Sequence, residues 1–463
     1  MSDSPLAELT RRLPELRLLT DPGDLEHYGR DWTRRWTPAP LAIAFPSSTD
    51  EVQAIVRWAN ETATALVPSG GRTGLSGGAV AAHGELVLSL ERMNKVLDFS
   101  AVDRTLTVQP GITLQAVHDA ARSRDLLYPV DFAARGSCSI GGNIATNAGG
   151  IRVIRYGNTR EWIASLKVIA GNGELLELNR GLIKNSSGYD FRQLMIGSEG
   201  TLGIVVEATL KLTAPALPSQ VMLLALPDME ALMQVFAIFR ERLSLQAFEF
   251  FTDLALTHVL EHGAQRAIDG DHPYYVVTEF DAVDESTQDV ALGVFEQAVE
   301  KGWVSDGVLA HSDAQAAALW RLREGITESL APHRPYKNDV SVKVSAVPAF
   351  LHEMQRLLTR EYPHIEVVWF GHIGDGNLHI NVLQPKDLDD ATFIAQCEHV
   401  TKLLAVTLHN HGGSISAEHG IGLVKRAYLE STRSPAEISL MKGVRKVFDP
   451  NGILNPGKLF TDA

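Results

Sequence analysis

The stretch that most constrains this chain of 463 residues is Asp131 to Gly150, which reads DFAARGSCSIGGNIATNAGG. It carries two Gly-Gly pairs and small residues nearly throughout, so it cannot build a hydrophobic core. It is also too uncharged, and too closely flanked by strand-forming runs, for a disordered linker. Such a backbone suits a flat, extended ligand that it can hydrogen-bond with main-chain groups. A second loop, Pro68 to Gly78 (PSGGRTGLSGG), follows a short strand expected at Ala65 to Val67 and holds five glycines in eleven residues. Glycine removes side-chain bulk and permits φ > 0, which lets amide N–H groups curl around an anion. No Gly-Lys-Ser/Thr follows, so this is no Walker loop, and it does not open a helix as a dinucleotide G-x-G-x-x-G does. A third small-residue stretch, Gly197 to Gly203, precedes a strand expected at Ile204 to Leu212. One such loop reads equally well as flexible surface; three within one α+β region read as ligand loops.

Between them, Leu166 to Ile169 and Leu175 to Leu178 form an expected hairpin on the Asn172-Gly173 turn. Upstream, Ser48-Thr49-Asp50-Glu51 resembles a capping box opening a helix whose Val52, Ile55, Val56 and Ala59 share one side. Ala214-Pro215-Ala216-Leu217-Pro218 marks a boundary. Beyond it, strands at Val221 to Leu226, Tyr274 to Phe280, Val340 to Val344 and Val367 to Phe370 alternate with helices. The helices are expected at Met229 to Arg242, Val290 to Lys301, Ala314 to Ala331 and Pro348 to Glu361. That order suits an antiparallel sheet with helices packed on one face. A long helix follows at Ala391 to Asn410, and a last one at Ser434 to Phe448.

Within this second region, Trp369 to Asn381 turns on Gly374-Asp375-Gly376 between two strands, so His372 and His379 flank one tight turn. His379 and Asn381 share a face, Leu378 and Ile380 the other. Further on, Ser416 to Gly422 adds Glu418 and His419. Three protein ligands with an open position is the layout of a catalytic zinc. By spacing alone, however, two histidines in a hairpin are more often hydrogen-bonded or surface groups, and H-x6-H is not a specific signature.

With 42 Lys and Arg against 56 Asp and Glu, the net charge of −14 repels a nucleic-acid backbone on average. The two cysteines, Cys138 and Cys397, lie far apart and fit a reducing compartment with no disulfide framework. Cys138 reads as small-residue packing and Cys397 as helix core. No apolar run approaches the roughly 20 residues of a membrane span, and the polar, acidic start lacks a signal-peptide core. A cytoplasmic protein is expected.

These motifs, in this order and over nearly the whole chain, resemble the FAD-linked 2-hydroxy-acid dehydrogenases of the vanillyl-alcohol-oxidase superfamily. The residues that carry the resemblance are the two loops, Gly197 to Gly203, the Gly371 to His379 hairpin, Ser416 to Gly422 and the terminal Asn455-Pro456-Gly457-Lys458. Within that family the D-2-hydroxyglutarate dehydrogenases are the most similar branch. The resemblance implies a two-subdomain FAD-binding domain over 1–214 and a substrate- and metal-binding cap domain over 215–420. A C-terminal segment, 421–463, would pack back near the flavin. It implies that FAD is held by Pro68, Ser69, Gly70, Gly71, Arg72, Thr73, Gly74, Leu75, Ser76 and Gly78 of the first loop. Asp131, Gly136, Ser137, Ile140, Gly141, Gly142, Asn143, Thr146, Asn147, Gly149 and Gly150 would serve from the second, with Gly200, Gly203, Ile204 and Asn455. Arg72 stands where covalent members often carry a histidine, so the flavin is expected to be dissociable.

His372, His379 and Glu418 match the family's metal ligands, and His419 its catalytic base and a substrate contact. Arg323 and Lys337 match the residues for substrate carboxylates, with Thr327 and Asn381 as lesser polar contacts. Arg323 and Thr327 are i and i+4 on one expected helix, so both would reach one face. Lys343 is an outside candidate beside them. The implied metal is Zn²⁺, with Mn²⁺ or Co²⁺ as alternatives. The implied reaction is oxidation of D-2-hydroxyglutarate to 2-oxoglutarate with hydride passing to flavin N5. Electrons would go on to electron-transfer flavoprotein or a quinone, since no nicotinamide, iron–sulfur or haem motif is present. A homodimer is compatible with the family. Rival readings are a D-lactate or D-malate dehydrogenase, a non-catalytic flavin subunit of a glycolate-oxidase-like complex, and a structural metal-binding domain.

Overall fold

The Ala214 to Pro218 linker falls where the chain passes from one compact unit to another. The computed structural model describes residues 4–460. Of these, 4–149, 157–215 and 418–460 form the first unit, and 150–156 and 216–417 the second.

The first unit has two sheets. One comprises β1 (Arg17–Leu19), β2 (Ala42–Phe45), β3 (Leu66–Ser69) and β4 (Leu86–Ser89) in the order β1-β2-β4-β3. β4 runs parallel to both β2 and β3. The Thr49–Thr62 helix buries Val52, Ile55, Val56, Trp58 and Ala59 in one core with Leu66, Leu86 and Leu88. Its cap is half of the expected box: Ser48 Oγ accepts the Glu51 amide, but Glu51 Oε2 accepts the amide of Ser47, not Ser48. The other sheet comprises β5 (Val96–Ser100), β6 (Thr105–Val108), β7 (Ile163–Ala170), β8 (Leu175–Leu178) and β9 (Gly203–Lys211), ordered β5-β6-β9-β7-β8 and antiparallel throughout. β7 and β8 are the expected hairpin, with Ile169 opposite Leu175.

The Asp131 to Gly150 stretch is not extended throughout. A 3-10 turn at Ala133–Gly136 leads into a short helix, Ile140–Thr146, capped by Ser139. Ile140 and Ile144 are sunk in the core of the second sheet while Gly141 and Gly142 fall on other faces. The apolar pair at i and i+4 is what drives this turn into a helix.

The second unit is built on one antiparallel sheet of β10 (Ser219–Leu226), β11 (Leu245–Thr252), β12 (Tyr274–Asp281), β13 (Asp306–Leu309), β14 (Tyr336–Ser341), β15 (Val367–Gly371) and β16 (Asn377–Val382). Their order is β13-β10-β12-β11-β15-β16-β14. The α+β organisation holds, and helices cover both faces of this sheet rather than one. Phe236 of the Met229–Arg242 helix meets Phe248 of β11 at 4.9 Å between ring centroids. On the opposite face Leu319 and Leu322 of the Asp313–Glu324 helix share a core with Phe251, Tyr275, Val277 and Val368. β10, β11 and β12 are buried almost residue by residue, as strands covered on both sides must be.

Two boundaries differ in ways that matter for the site. The third expected strand begins earlier, at Tyr336, and ends at Ser341; Lys343 stands before a 3-10 turn at Val344–Ala346, outside the strand. The long helix expected at Ala314 to Ala331 ends at Glu324, and a separate turn of helix runs from Ile326 to Ser329. Residues 150–156 join the second unit through two arginines. Arg152 Nη2 donates to Glu279 Oε1 at 3.2 Å and Arg155 Nη2 to Asp281 Oδ2 at 2.9 Å.

Candidate active site

In the first unit the two glycine loops touch, and at Gly71 they do so backbone to backbone. A Cβ on Gly70 would stand 2.1 Å from Ser139 Oγ, and one on Gly71 would stand 1.9 Å from the Ser137 carbonyl oxygen. The Gly141 amide donates to Pro110 O at 2.7 Å, and the Ile140 amide to Ile112 O at 3.0 Å. Gly70, Gly71, Arg72, Ile112, Thr113, Ser137 and Ser139 line a cleft of about 510 Å³. Ser69 Oγ, Asn143 Nδ2 and Asn455 Oδ1 are buried without a hydrogen-bond partner among the described residues. Polar atoms buried in this way are costly unless something binds them, and a nucleotide cofactor along the loops would. Arg72 takes φ +57 and lays its guanidinium over the Tyr28 ring, 4.3 Å from the centroid. Burial raises the Cys138 thiol to about 11, which keeps it an inert packing group.

The turn that carries His419 is fastened to the same loops. Ser76 O accepts the amides of Leu423 at 2.8 Å and Val424 at 3.0 Å. Glu199 accepts the Ile421 amide on Oε1 and the Gly422 amide on Oε2, both at 2.8 Å. Gly420 there has φ +83, and a Cβ would stand 2.9 Å from Glu199 Cδ, so the turn requires glycine. Asn455 Nδ2 donates to Gly78 O at 2.9 Å and to Glu199 O at 2.8 Å, which draws the C-terminal motif onto the loops. Burial raises the Glu199 carboxyl above its ordinary range against the pull of those two amides.

In the second unit the histidine pair stands on a polar patch of the sheet. β16 sets Asn381 opposite Lys337 and His379 opposite Asp339 on β14, and Phe370 of β15 faces His379. The His372 and His379 rings meet edge to face at 5.2 Å. Phe251 of β11 is opposite Phe370, so Glu249, two residues earlier, shares that face. His372 Nδ1 lies 2.9 Å from Glu249 Oε1. Arg323 Nη2 approaches Glu249 Oε2 at 2.8 Å. That ion pair lacks hydrogen-bond alignment, and Arg323 Nε and Nη2 stay without an aligned acceptor. Asn377 Nδ2 donates to Asp339 Oδ1 at 2.8 Å, and the Ala417 amide donates to Asp339 Oδ2 at 3.2 Å. Glu418 and His419 follow Ala417 directly in the chain.

Of the expected substrate residues, Lys337, Asn381 and Arg323 therefore belong to one side of one sheet. Asn381 and Arg323 are buried; Lys337 is half-buried, with no ion pair among the described residues, and burial alone depresses its ammonium. Thr327 does not share their environment: the helix ends before it, and it is exposed. Glu199, Glu249 and Asp339 were missed. Glu249 could have been found as a lone charge in the Phe-rich run Ala247 to Phe251, since a buried carboxylate needs a partner.

The sequence matches the family described as "FAD binding domain" over residues 40–179 and that described as "FAD linked oxidases, C-terminal domain" over 218–459. It is 71% identical over 460 residues to a D-2-hydroxyglutarate dehydrogenase of Xanthomonas citri pv. viticola, covering 99% of this chain and 98% of that one. It is 53% identical over 462 residues to the protein of the same name in Stutzerimonas stutzeri, covering 99% and 100%. Among solved structures, a 4-ethylphenol oxidase from Gulosibacter chungangensis matches with a TM-score of 0.75 at 18% identity over 99% of this chain and 97% of that one, a likeness of fold.

Proposed function

The chain belongs to the FAD-linked D-2-hydroxy-acid dehydrogenases of the vanillyl-alcohol-oxidase superfamily, and from that membership we propose that it oxidises D-2-hydroxyglutarate to 2-oxoglutarate. It is an oxidoreductase acting on CH–OH donors with FAD. The substrate reading rests on the 71% identity, over nearly the full length of both chains, to the Xanthomonas enzyme.

FAD, when bound, accepts the two electrons lost at C2 of the alcohol. The fit of Gly70 and Gly71 against Ser139 and Ser137, and the orphaned polar atoms beside them, support the glycine loops as its holder. Arg72, stacked on Tyr28 where covalent relatives place histidine, supports a dissociable flavin. A divalent cation, Zn²⁺ with Mn²⁺ or Co²⁺ as alternatives, on His372, His379 and Glu418 would supply Lewis acidity to the substrate's C1 carboxylate and 2-hydroxyl.

His419, as a neutral imidazole, takes the hydroxyl proton, and the turn behind it is held by Glu199 and Ser76 O so that the ring does not drift. Lys337 offers its half-buried ammonium to the distal carboxylate, a compact charge with no competing partner among the described residues. Arg323 adds N–H donors left unaligned by its ion pair, and Asn381 adds an amide from the neighbouring strand. Thr327, exposed in its own short turn of helix, is left out of this set. Electrons leave to electron-transfer flavoprotein or a quinone. Both cysteines are buried free thiols, which supports a reducing, cytoplasmic setting, and no helix among the described residues is long and apolar enough to cross a membrane.

D-malate is the second reading, because it keeps the distal carboxylate that the half-buried ammonium of Lys337, without an ion pair among the described residues, would meet. Anaerobic mixing with D-2-hydroxyglutarate, D-malate or D-lactate, following flavin absorbance, separates them. Fast bleaching by D-2-hydroxyglutarate supports the proposal; bleaching mainly by either rival reassigns the substrate. A flavin-loaded, metal-loaded protein bleached by none of the three would point to another hydroxy acid or to a non-catalytic subunit.

A further inference from the structure

Arg323, expected to clasp substrate, meets a protein carboxylate first. Glu249 Oε2 lies 2.8 Å from Arg323 Nη2, and the same carboxylate stands 2.9 Å (Oε1) and 2.8 Å (Oε2) from His372 Nδ1. Glu249, Arg323 and His372 are 1%, 6% and 8% exposed. One carboxylate on β11 thus serves two donors from two other elements, a helix and the turn after β15. A carboxylate buried this deeply is tolerated only where it is paired, so all three groups are held by one another.

A neutral imidazole carries one ring hydrogen, and its position is set by what the other nitrogen must do. As a carboxylate Glu249 offers acceptors only, so Nδ1 carries the hydrogen and Nε2 keeps its lone pair. Phe370 completes the seat by placing its ring 4.9 Å from the Arg323 guanidinium. His379 has a different arrangement: Asp339 Oδ1 is 3.8 Å from its Nδ1, beyond hydrogen-bond reach.

We propose that Glu249 is the positioning residue of this site, fixing His372 as the Nδ1–H tautomer with Nε2 presented to a divalent cation while holding Arg323 in place for an anionic substrate. The cation-ligand role of His372 rests on the metal reading above. Glu249 acts through His372 and Arg323. Because both depend on one carboxylate, metal affinity and substrate KM are coupled through it.

The test uses FAD-loaded full-length protein, with Co²⁺ as the probe in competition with a chromophoric chelator. Glu249→Gln keeps the shape but replaces one acceptor oxygen with NH₂, which must oppose either Nδ1–H or the guanidinium. It is expected to raise the Co²⁺ dissociation constant about 10–100-fold with full flavin content retained. Glu249→Asp, which keeps the charge with a shorter reach, should recover part of that loss. Metal affinity unchanged in a Glu249→Gln protein that keeps its flavin would overturn the proposal. A second measurement needs no Glu249 variant: the ¹⁵N imidazole resonances of metal-free wild type, with His372 identified by its loss in His372→Gln. The Nδ1–H pattern is expected, and the Nε2–H pattern would overturn the assignment. If wild type binds no Co²⁺ at all, the metal reading and the coupling proposed here fall together, and this arm tells that failure apart from a failure of Glu249 alone.

Discussion

Around Gly71 the contacts are backbone on backbone, with no room for a single Cβ, whereas around Glu249 and His379 they run side chain to side chain across three strands. The first arrangement fixes a path for the chain and can tolerate no bulk. The second fixes charges and tautomers and tolerates any backbone that keeps the strand register. If that contrast is right, damage to the two regions should separate: substitutions in the loops should cost flavin, and substitutions on the sheet should cost turnover or KM while the protein stays yellow.

The largest effect should come from Gly71→Ala. The added Cβ would collide with Ser137 O, Ser137 C and Cys138 Cα, all backbone, so the two loops must part. Loss of flavin after gel filtration, read as the ratio of flavin to protein absorbance, is the expected outcome. Gly23→Ala, outside the loops, meets nothing within 4 Å and should keep its flavin. Equal retention by both variants would break the comparison on its first side.

His419→Ala comes next. Removing a general base costs about 10²–10⁴ in rate, so anaerobic flavin reduction should slow by that factor with flavin content unchanged. Full-rate bleaching would remove His419 from the mechanism. Lys337→Met is smaller still: KM for D-2-hydroxyglutarate should rise about tenfold or more, the size of one lost charge-assisted contact, with little change for D-lactate, which has no distal carboxylate. Equal effects on the two substrates would sink the distal-carboxylate role.

The same contrast explains what could be read in advance. The glycine loops, the hairpin on Asn172-Gly173 and the turn at Gly374-Asp375-Gly376 were legible because a backbone that needs φ > 0 or close approach selects glycine, and glycine is visible in a sequence. His372 and His379 were legible as a pair because one tight turn joins them. Glu249 was not, because β11 reaches the site only through its pairing with β15, more than a hundred residues later in the chain. Asp339 was hidden by a strand boundary placed four residues late, at Val340 instead of Tyr336. The break between Arg323 and Thr327 escaped for a different reason: periodicity carried the helix through Gly325, where an added Cβ would stand 2.7 Å from Arg321 O. Helices covering both faces of the sheet follow from burial of alternate residues on both sides, which a list of apolar strands suggests only once their pairing is known.

The smallest effect expected tests whether the loop region depends on backbone alone. Lys458, in the C-terminal motif, is 1% exposed, and its Nζ donates to Val80 O at 2.8 Å, just beyond the first glycine loop. Burial pulls its ammonium down from 10.5 to about 8, with the Glu85 charge opposing that pull. The folded chain therefore releases this proton at a lower pH than the unfolded chain does. Between about pH 8 and the ordinary lysine range the unfolded state binds more protons, so stability rises with pH there, and the cost of the buried charge is present in full below it. At about 1.4 kcal/mol per pKa unit the whole window is worth about 3 kcal/mol at most. Lys458→Met removes the titrating group and should flatten this part of the profile. Thermal unfolding followed through flavin fluorescence from pH 7 to pH 10 should show wild type gaining a few degrees on the variant as pH rises. Parallel profiles would mean that the Lys458 charge finds compensation in the folded chain, and that this region, like the sheet face, is held by paired side chains as much as by its glycine backbone.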